Sequence, residues 1–351
     1  MLTDMNIRQK LERLRAVCSH AKNVHIIIYG NPDPDALASA IALKKILETD
    51  TRSVHIGYTG AIGRPENASM IRQLKIPAFP VGKEEASRSD VIAIVDAQPH
   101  FFADFDLPRC DIVIDHHPLT KVPAAQFVDI RPDYLSTSSI MTEYLRAANV
   151  RLTRKLASAL FYGIKTDTRH FLGDMSSGDV QAILWLRGKA DRYIVNRIEF
   201  SQFSQEGLDY FSIALVRRLF SNTVMFSHLG PVPFLDVCVQ VADFFIRVEN
   251  VSWALVTGVV GDTLVIVFRN DGIKKDAGYL ARSAFSGLGS AGGHASMGRA
   301  EVKQDDLPKG LLLTDNSGIE RFVLSALAGI DTVFLPVLKS VKGDTMRAKL
   351  I

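Results

Sequence analysis

The sequence predicts an α/β protein in which a mostly parallel sheet flanked by helices is followed by a smaller α+β domain. Short apolar runs such as Val91–Val95 alternate with stretches of helical periodicity, a pattern typical of strand–helix–strand crossovers. After about Gln205 the alternation gives way to several strands in succession. The length of 351 residues also favours two domains, because single cores stop growing near ~250–300 residues.

Residues 1–205 are expected to form the first domain, with each element assigned from the spacing of its apolar residues. Helices are predicted at Met5–Ala21, Ala36–Leu47, Ser138–Ala148, Thr153–Ile164, Ser177–Leu186 and Asp191–Phe200. Strands are predicted at Val24–Tyr29, Val54–Ile56, Val91–Val95, Ile112–Ile114 and Phe127–Ile130. If these strands are parallel, their carboxyl ends meet at one edge of the sheet, where such proteins collect functional groups.

A helical linker at 206–222 and a second domain at 223–351 are expected to follow. The linker contains a predicted helix at Leu208–Phe220. Strands are predicted at Thr223–Phe226, Phe234–Val237, Val251–Val259 and Thr263–Phe268, with a tight hairpin turn at Gly261-Asp262. A helix at Ile319–Ala328 lies in a C-terminal extension of this domain.

Composition narrows the classes of function. The chain carries a formal charge of only +3, which argues against coating long duplex nucleic acid and fits short or small anionic substrates. No apolar run reaches 18 residues and no secretory signal is visible, so no membrane partner is expected. Three scattered cysteines predict reduced thiols and a cytoplasmic location.

Acids and histidines follow several predicted elements at the end where a parallel sheet gathers ligands. These residues are Asp33, Asp35, Asp96, Asp115, His116, His117 and Asp167. Carboxylate oxygens and imidazole nitrogens together suit a divalent transition metal such as manganese or zinc. An isolated aspartate at a strand end is usually a helix cap or turn former, but the ordered set favours a metal site.

The set resembles a known family. Pro32-Asp33-x-Asp35, Asp96, Asp115-His116-His117 and Asp167 resemble the four ordered motifs of the DHH phosphoesterase superfamily, and Gly292-Gly293-His294 with Met297-Gly298 resembles the glycine-rich signature of the DHHA1 domain. The chain most resembles the subgroup of RecJ-like oligoribonucleases and phosphoadenosine phosphatases. The resemblance implies a DHH domain, a DHHA1-like substrate-binding domain and an active-site cleft between them.

The resemblance also assigns roles. It implies two manganese ions, with magnesium as an alternative, about 3.5–4 Å apart. Asp33 and Asp96 would hold the first ion. The second would be held by Asp35, Asp96, His116 and Asp167, so that Asp96 bridges the two. His117 would lie near the phosphate, supported through Asp115, and substrate would contact Arg269, Gly292, Gly293 and His294.

Two features depart from the family pattern. One lies in the glycine-rich signature, where Ser296-Met297 and Gly298 stand in place of the usual paired alanines, and the other lies in the first motif. The first motif usually opens with a histidine, and here that position is Tyr29. A phenol, with a reference pKa near ~10, is a poorer neutral ligand than imidazole, although a nearby cation can lower that pKa. Tyr29 therefore binds the first metal as a phenolate, or that metal is weakly held, coordinated by water instead, or absent.

These observations predict a manganese-dependent phosphodiesterase or phosphatase that hydrolyses short oligonucleotides or small nucleotide phosphates. Two alternatives stay open: a polyphosphate or pyrophosphate hydrolase, and a nucleotide-binding regulatory protein with a degenerate metal site. The glycine-rich second domain favours a nucleotide over bare phosphate, whereas Tyr29 motivates the regulatory alternative. The oligomeric state is also open, with a homodimer among the options.

Overall fold

The computed structural model describes residues 6–342 except Pro108, Arg169, Leu172, Gln202 and Lys274. The chain divides into two compact units between Gln202 and Phe203. Within the described residues, every helix is too short or too polar to span a bilayer.

The first unit contains a six-stranded parallel sheet in the order β3-β2-β1-β4-β5-β6, as the sequence predicts. Its strands are β1 (Asn23–Ile28), β2 (Ser53–Tyr58), β3 (Ala78–Pro80), β4 (Val91–Val95), β5 (Ile112–Asp115) and β6 (Phe127–Ile130). From β1 the chain continues to β2 and β3 on one side of the sheet, and from β4 it continues to β5 and β6 on the other side. The direction of strand addition therefore reverses between the neighbours β1 and β4. Open α/β sheets bind ligands beyond the carboxyl ends of the strands at such a point.

The central strand β1 is apolar on both faces, which is why it lies inside the sheet. Successive side chains of a strand point to opposite faces. Ile26 and Ile28 enter the larger core, beneath the helices of the first unit, whereas Ile27 enters a smaller core on the other face. That smaller core is closed by Phe102, which ends a short 3-10 turn at Pro99–Phe102.

Six of the eight described helices of the first unit begin at a residue whose side chain accepts a backbone N–H of the first turn. The eight helices are α1 (Ile7–Val17), α2 (Pro34–Leu47), α3 (Pro65–Leu74), α4 (Lys83–Ser87), α5 (Thr137–Ala147), α6 (Arg154–Asp167), α7 (Ser177–Arg187) and α8 (Arg192–Glu199). Asp33 caps α2 and Ser136 caps α5, each side chain accepting a backbone N–H three residues on. The sequence prediction omits α3, α4 and β3. The last two are short, and the buried face of α3 includes the polar residues Asn67 and Ser69 beside Met70 and Leu74.

The second unit contains a mixed six-stranded sheet in the order β11-β12-β10-β9-β8-β7. Its strands are β7 (Leu219–Ser221), β8 (Val224–Pro231), β9 (Trp253–Val260), β10 (Thr263–Asn270), β11 (Ser290–His294) and β12 (Met297–Lys303). Only β8 and β9 pair in parallel among these described strands. The helices of this unit are α9 (Gln205–Arg217), α10 (Asp236–Phe245), α11 (Ala277–Phe285), α12 (Asn316–Ala328) and α13 (Leu335–Lys342).

Two predicted elements of this unit are wrong in part. The run Phe234–Val237 is predicted to be a strand, but α10 begins at Asp236 because Val237, Val241 and Phe245 recur at helical spacing and enter a core. The helix predicted to reach Phe220 ends at Arg217, and Phe220 lies in β7, which pairs with β8. The hairpin prediction is confirmed: Gly261, with φ +61°, turns the chain between β9 and β10.

Close backbone packing explains one glycine of the DHHA1-like signature. Gly293 has φ +139°, and a Cβ there would lie 2.1 Å from the carbonyl oxygen of Met297. A Cβ on Gly278 of α11 would lie 2.3 Å from the carbonyl carbon of Gly293. These glycines therefore let α11 pack directly on the β11–β12 hairpin.

We expect Gly293→Ala to lower the free energy of unfolding by at least ~1–3 kcal/mol, because alanine is strained at this φ and has no room. Gly292→Ala is the matched control, since a Cβ added at Gly292 would have no described atom within 4 Å. Its effect should stay within ~0.5 kcal/mol. Chemical denaturation of both variants measures the difference, and equal losses would contradict this packing.

Candidate metal centre

Acidic and imidazole side chains from four segments meet at the carboxyl edge of the parallel sheet. Asp33 and Asp35 follow β1 at the start of α2, and Asp96 follows β4. The Asp115-His116-His117 triplet straddles the end of β5, and Asp167 ends α6. The first unit alone supplies every one of these residues.

Two overlapping groups in this cluster have metal-ligand spacing. Asp35, Asp96, His116 and Asp167 each offer an atom within 4.8 Å of the others, and so do Asp96, His116 and His117. Nε2 of His116 lies 3.5 Å from Oδ1 of Asp96 and 3.4 Å from Oδ2 of Asp167. The first group contains the same four residues that the family resemblance assigns to the second metal. Asp96 and His116 belong to both groups.

The backbone at Asp96 aims its carboxylate into the cluster. Asp96 has φ +58°, an uncommon conformation for any residue except glycine, and its N–H donates to the carbonyl oxygen of Ile114 at 3.0 Å. The hydroxyl of Thr137 donates to Oδ1 of Asp96 at 2.9 Å. The side chain is 5% exposed. Such strain is characteristic of functional sites, where surrounding contacts offset its cost.

The N-terminus of α5 anchors Asp35. Both carboxylate oxygens of this fully buried residue accept backbone N–H groups, from Thr137 and Ser138, at 2.7 Å each. The free N–H groups and the positive end of the helix dipole stabilise a negative charge there. The sequence predicts a helix at Ser138–Ala148 but gives no sign that its first turn binds a distant acid.

A glycine sets the position of Asp167. A Cβ on Gly163 would lie 2.6 Å from Oγ of Ser138 and 3.1 Å from Cα of Asp35. Since Gly163 has no side chain, α6 can approach α2 and α5 closely. Asp167 lies four residues later on the same face of α6, so this close approach carries its carboxylate to the cluster.

The cluster is short of positive charge. Burial, and then repulsion by Asp167, raises the pKa of Asp35 to about 7. Burial and neighbouring carboxylates also raise the pKa of Asp33 and of Asp96, and burial raises that of Asp167. Burial lowers the pKa of His116, but the hydrogen bond with Asp167 and the surrounding acids outweigh it and raise that pKa to about 9. A divalent cation would neutralise these carboxylates, and the oxygen and nitrogen donors suit one.

Polar contacts orient the two histidines. Nδ1 of His117 lies 2.8 Å from Oδ1 of Asp115, and Nδ1 of His116 lies 3.3 Å from the carbonyl oxygen of Tyr134. Each ring therefore keeps Nε2 for other partners. Burial raises the pKa of Asp115, but hydrogen bonds from His117 and Gln98 outweigh it and hold that pKa below its ordinary value.

Asp33 and Tyr29 are placed differently from the other predicted ligands. Asp33 belongs to neither group of described acids and histidines, and its Oδ1 accepts the N–H of Ala36 at 2.8 Å as the cap of α2. Tyr29 is 41% exposed, and its ring packs against Phe102 with centroids 5.0 Å apart. A role for either residue at a first metal stays a prediction.

The predicted substrate residues all lie in the second unit. Arg269 of β10 is largely buried, and its Nε donates to Oδ1 of Asp243 at 2.5 Å. Arg269 pairs with Met297, which pairs with His294, so Arg269 and His294 share one face of the sheet. Gly292 and Gly293 lie with His294 in β11, the edge strand.

Comparison with known proteins points to one family. Residues 23–164 match the family model described as the DHH family, N-terminal domain. An uncharacterized protein of Methanocaldococcus jannaschii is 32% identical over 342 residues, covering 92% of this chain and 70% of that protein. The cyclic-di-AMP phosphodiesterase GdpP of Geobacillus thermodenitrificans is 29% identical over 219 residues, which span 55% of this chain and only 33% of that protein.

A solved structure shares the fold over most of this chain. The exopolyphosphatase-related protein from Bacteroides fragilis superposes with a TM-score of 0.67 and 16% identity, covering 95% of this chain and 98% of that one. At this identity the likeness concerns the fold alone. It covers both the parallel sheet and the mixed sheet.

We expect the metal-free protein to lose stability as pH rises from about 5 to about 9. The pKa of Asp35 is higher in the folded protein than its ordinary value near ~4, so the fold retains a proton that the unfolded chain releases. The stabilisation of the fold that comes from this retained proton is fully present below pH ~4 and is lost as pH rises through about 7. His116 acts in the same direction, with its contribution lost as pH rises through about 9.

Thermal unfolding across this range measures the effect. Asp35→Asn should flatten the decline, because the amide carries no charge to bury. Saturating manganese should also flatten it, since the ion stabilises the ionised cluster. A metal-free protein whose stability is constant or rises over this pH range would contradict the described electrostatics.

Proposed function

This chain belongs to the DHH family, and we propose that it is a metal-dependent phosphoesterase that hydrolyses short oligonucleotides or small nucleotide phosphates. The observation that carries the proposal is the convergence of Asp35, Asp96, His116 and Asp167 within 4.8 Å of one another. Manganese as the ion, a second bound ion and a cytoplasmic location stay predictions.

Some residues of the cluster would hold a cation, and others would contact the substrate. A bound divalent ion supplies charge neutralisation at the phosphoryl group and activation of water. Asp35, Asp96, His116 and Asp167 would hold the cation, and by resemblance Asp96 would share a second ion with Asp33, because a carboxylate has two oxygens to offer. The Thr137 hydroxyl and the left-handed backbone at Asp96 hold this carboxylate in place before any ion arrives.

His117 is the group that we assign to the substrate. Its ring is 42% exposed, whereas that of His116 is 16% exposed and faces the acids. Asp115 accepts from Nδ1 of His117 at 2.8 Å, which leaves Nε2 for a phosphate oxygen or a leaving group. In the imidazolium form, which the Asp115 carboxylate stabilises, the Nε2–H of His117 would donate to the phosphate and pass its proton to the departing alkoxide, which leaves as the alcohol.

The second unit is proposed to bind the distal part of the substrate. A guanidinium can grip phosphate in a bidentate fork, and Arg269 and His294 share one sheet face. The similarity to a cyclic-di-AMP phosphodiesterase supports a nucleotide substrate over polyphosphate. The likeness to the exopolyphosphatase-related protein adds no substrate argument, since it is one of fold.

A regulatory protein with a degenerate site is the second candidate, and Tyr29 motivates it. The half-exposed Tyr29 ring packs on Phe102 at the position where the family supplies a histidine. Against this candidate stands the ligand group formed by Asp35, Asp96, His116 and Asp167, which does not include Tyr29. A decayed site would have no reason to keep four buried or half-buried donors together.

We expect manganese-dependent hydrolysis of dinucleotides, cyclic dinucleotides or phosphoadenosine phosphate, and much less of polyphosphate.

Asp96→Asn should abolish hydrolysis and weaken manganese binding, because the amide cannot neutralise or bridge cations. Arg269→Ala should reduce hydrolysis of dinucleotides more than that of a small chromogenic phosphodiester, since loss of a charged hydrogen bond costs ~1.5–3 kcal/mol. Product analysis and equilibrium metal titration provide the measurements.

Asp90→Asn is the matched control for Asp96→Asn. Asp90 precedes the same strand, β4, and accepts the N–H groups of Lys22 and Asn23 at its opposite end. An asparagine oxygen can accept the same bonds, so this variant should keep full activity. Near-full manganese-dependent activity of Asp96→Asn would refute the proposed site. Preferred hydrolysis of polyphosphate would refute the proposed substrate class.

A further inference from the structure

Gln98 connects the segment after β4 to the carboxylate beneath His117. The residue is fully buried two positions after Asp96. Its Nε2 donates to Oδ2 of Asp115 at 2.8 Å, while Oδ1 of Asp115 faces Nδ1 of His117 at 2.8 Å. The three side chains therefore form a chain of hydrogen bonds that ends at the histidine assigned to the substrate.

The surrounding acceptors fix the orientation of the amide. Besides Asp115, Nε2 of Gln98 lies 3.3 Å from the carbonyl oxygen of His117 and 3.2 Å from that of Pro118. All three neighbours are acceptors, so only the nitrogen end can face them. The amide oxygen has no hydrogen-bond partner within the described part of the chain, so no donor there favours the flipped orientation of the amide.

The same segment supports the imidazole a second time. Phe101, three residues after Gln98, meets the His117 ring edge to face, with centroids 5.8 Å apart and planes at 86°. Phe101 belongs to the 3-10 turn that begins at Pro99, directly after Gln98. The His117 ring is thus held by the Asp115 carboxylate at Nδ1 and by the aromatic ring of Phe101.

We propose that Gln98 is a positioning residue for His117. By holding Asp115, it keeps one His117 proton on Nδ1, so that Nε2 is the ring nitrogen that faces the substrate and carries the second proton when the ring acts as an acid. This inference rests on the proposed function, in which His117 assists the leaving group. Outer residues that orient a working imidazole typically contribute ~10–100-fold to activity or affinity, so the effect of losing Gln98 should be measurable.

Gln98→Met tests the inference because methionine has a similar length and no donor. We expect kcat to fall ~10–100-fold while KM and manganese affinity change little. The matched control is Gln126→Met. Gln126 also donates its amide to an aspartate, Asp111, but at the opposite end of β5, and its loss should leave kcat unchanged.

A double-mutant cycle separates positioning from a general loss of structure. If Gln98 acts through His117, Gln98→Met should cause no further loss in a His117→Ala background. Full additivity of the two losses would overturn the proposal. If Gln98→Met does not fold, Gln98→Leu removes the same donor and carries the same expectations.

A spectroscopic measurement distinguishes failure of this inference from failure of the proposed function. Nitrogen-15 spectra of the imidazoles in metal-free protein report which ring nitrogen of His117 carries the proton, whether or not any substrate is hydrolysed. We expect the Nδ1–H tautomer in wild type and a mixture of tautomers in Gln98→Met. An unchanged tautomer in the variant would overturn the inference, whereas a changed tautomer in a protein that hydrolyses nothing would refute only the proposed function.

Discussion

The concentration of negative charge at one edge of the parallel sheet is the constraint on which the first unit depends. Asp35, Asp96 and Asp167 are brought together with the imidazole of His116. Buried carboxylates repel one another, and their pKa values are raised accordingly. Such an arrangement costs folding free energy unless a cation binds, so its presence favours a binding role over a purely structural one.

The fold offsets part of this cost with neutral groups. The first turn of α5 supplies two backbone N–H groups to Asp35 and one hydroxyl to Asp96. Gly163 allows α6 to approach until Asp167 reaches the others. These contacts orient the acids without neutralising them, which leaves their charge for an ion. Positioning and charge balance are therefore separated: the polypeptide provides the first, and a bound cation would provide the second.

Local patterns in the sequence predicted the parallel sheet and the site acids, whereas long-range contacts were out of reach. Apolar runs that end in Asp96 and in Asp115-His116-His117 identified the ends of strands. The spacing of apolar residues and the polar residues that follow them are local features of the sequence. The roles of Thr137 and Gln98 depend on contacts that no local pattern encodes. The α10 error has a similar origin. The apolar residues Phe234, Leu235 and Val237 suit either a helix or a strand, and only their packing partners decide between the two.

The location of bound manganese tests the proposed metal centre most directly. A crystal of the protein grown with manganese, with anomalous diffraction recorded at the manganese edge, shows where the ion lies. We predict a peak within coordination distance, ~2.0–2.3 Å, of donors from Asp35, Asp96, His116 and Asp167. Manganese bound elsewhere, with this cluster left without a cation at neutral pH, would contradict the assignment.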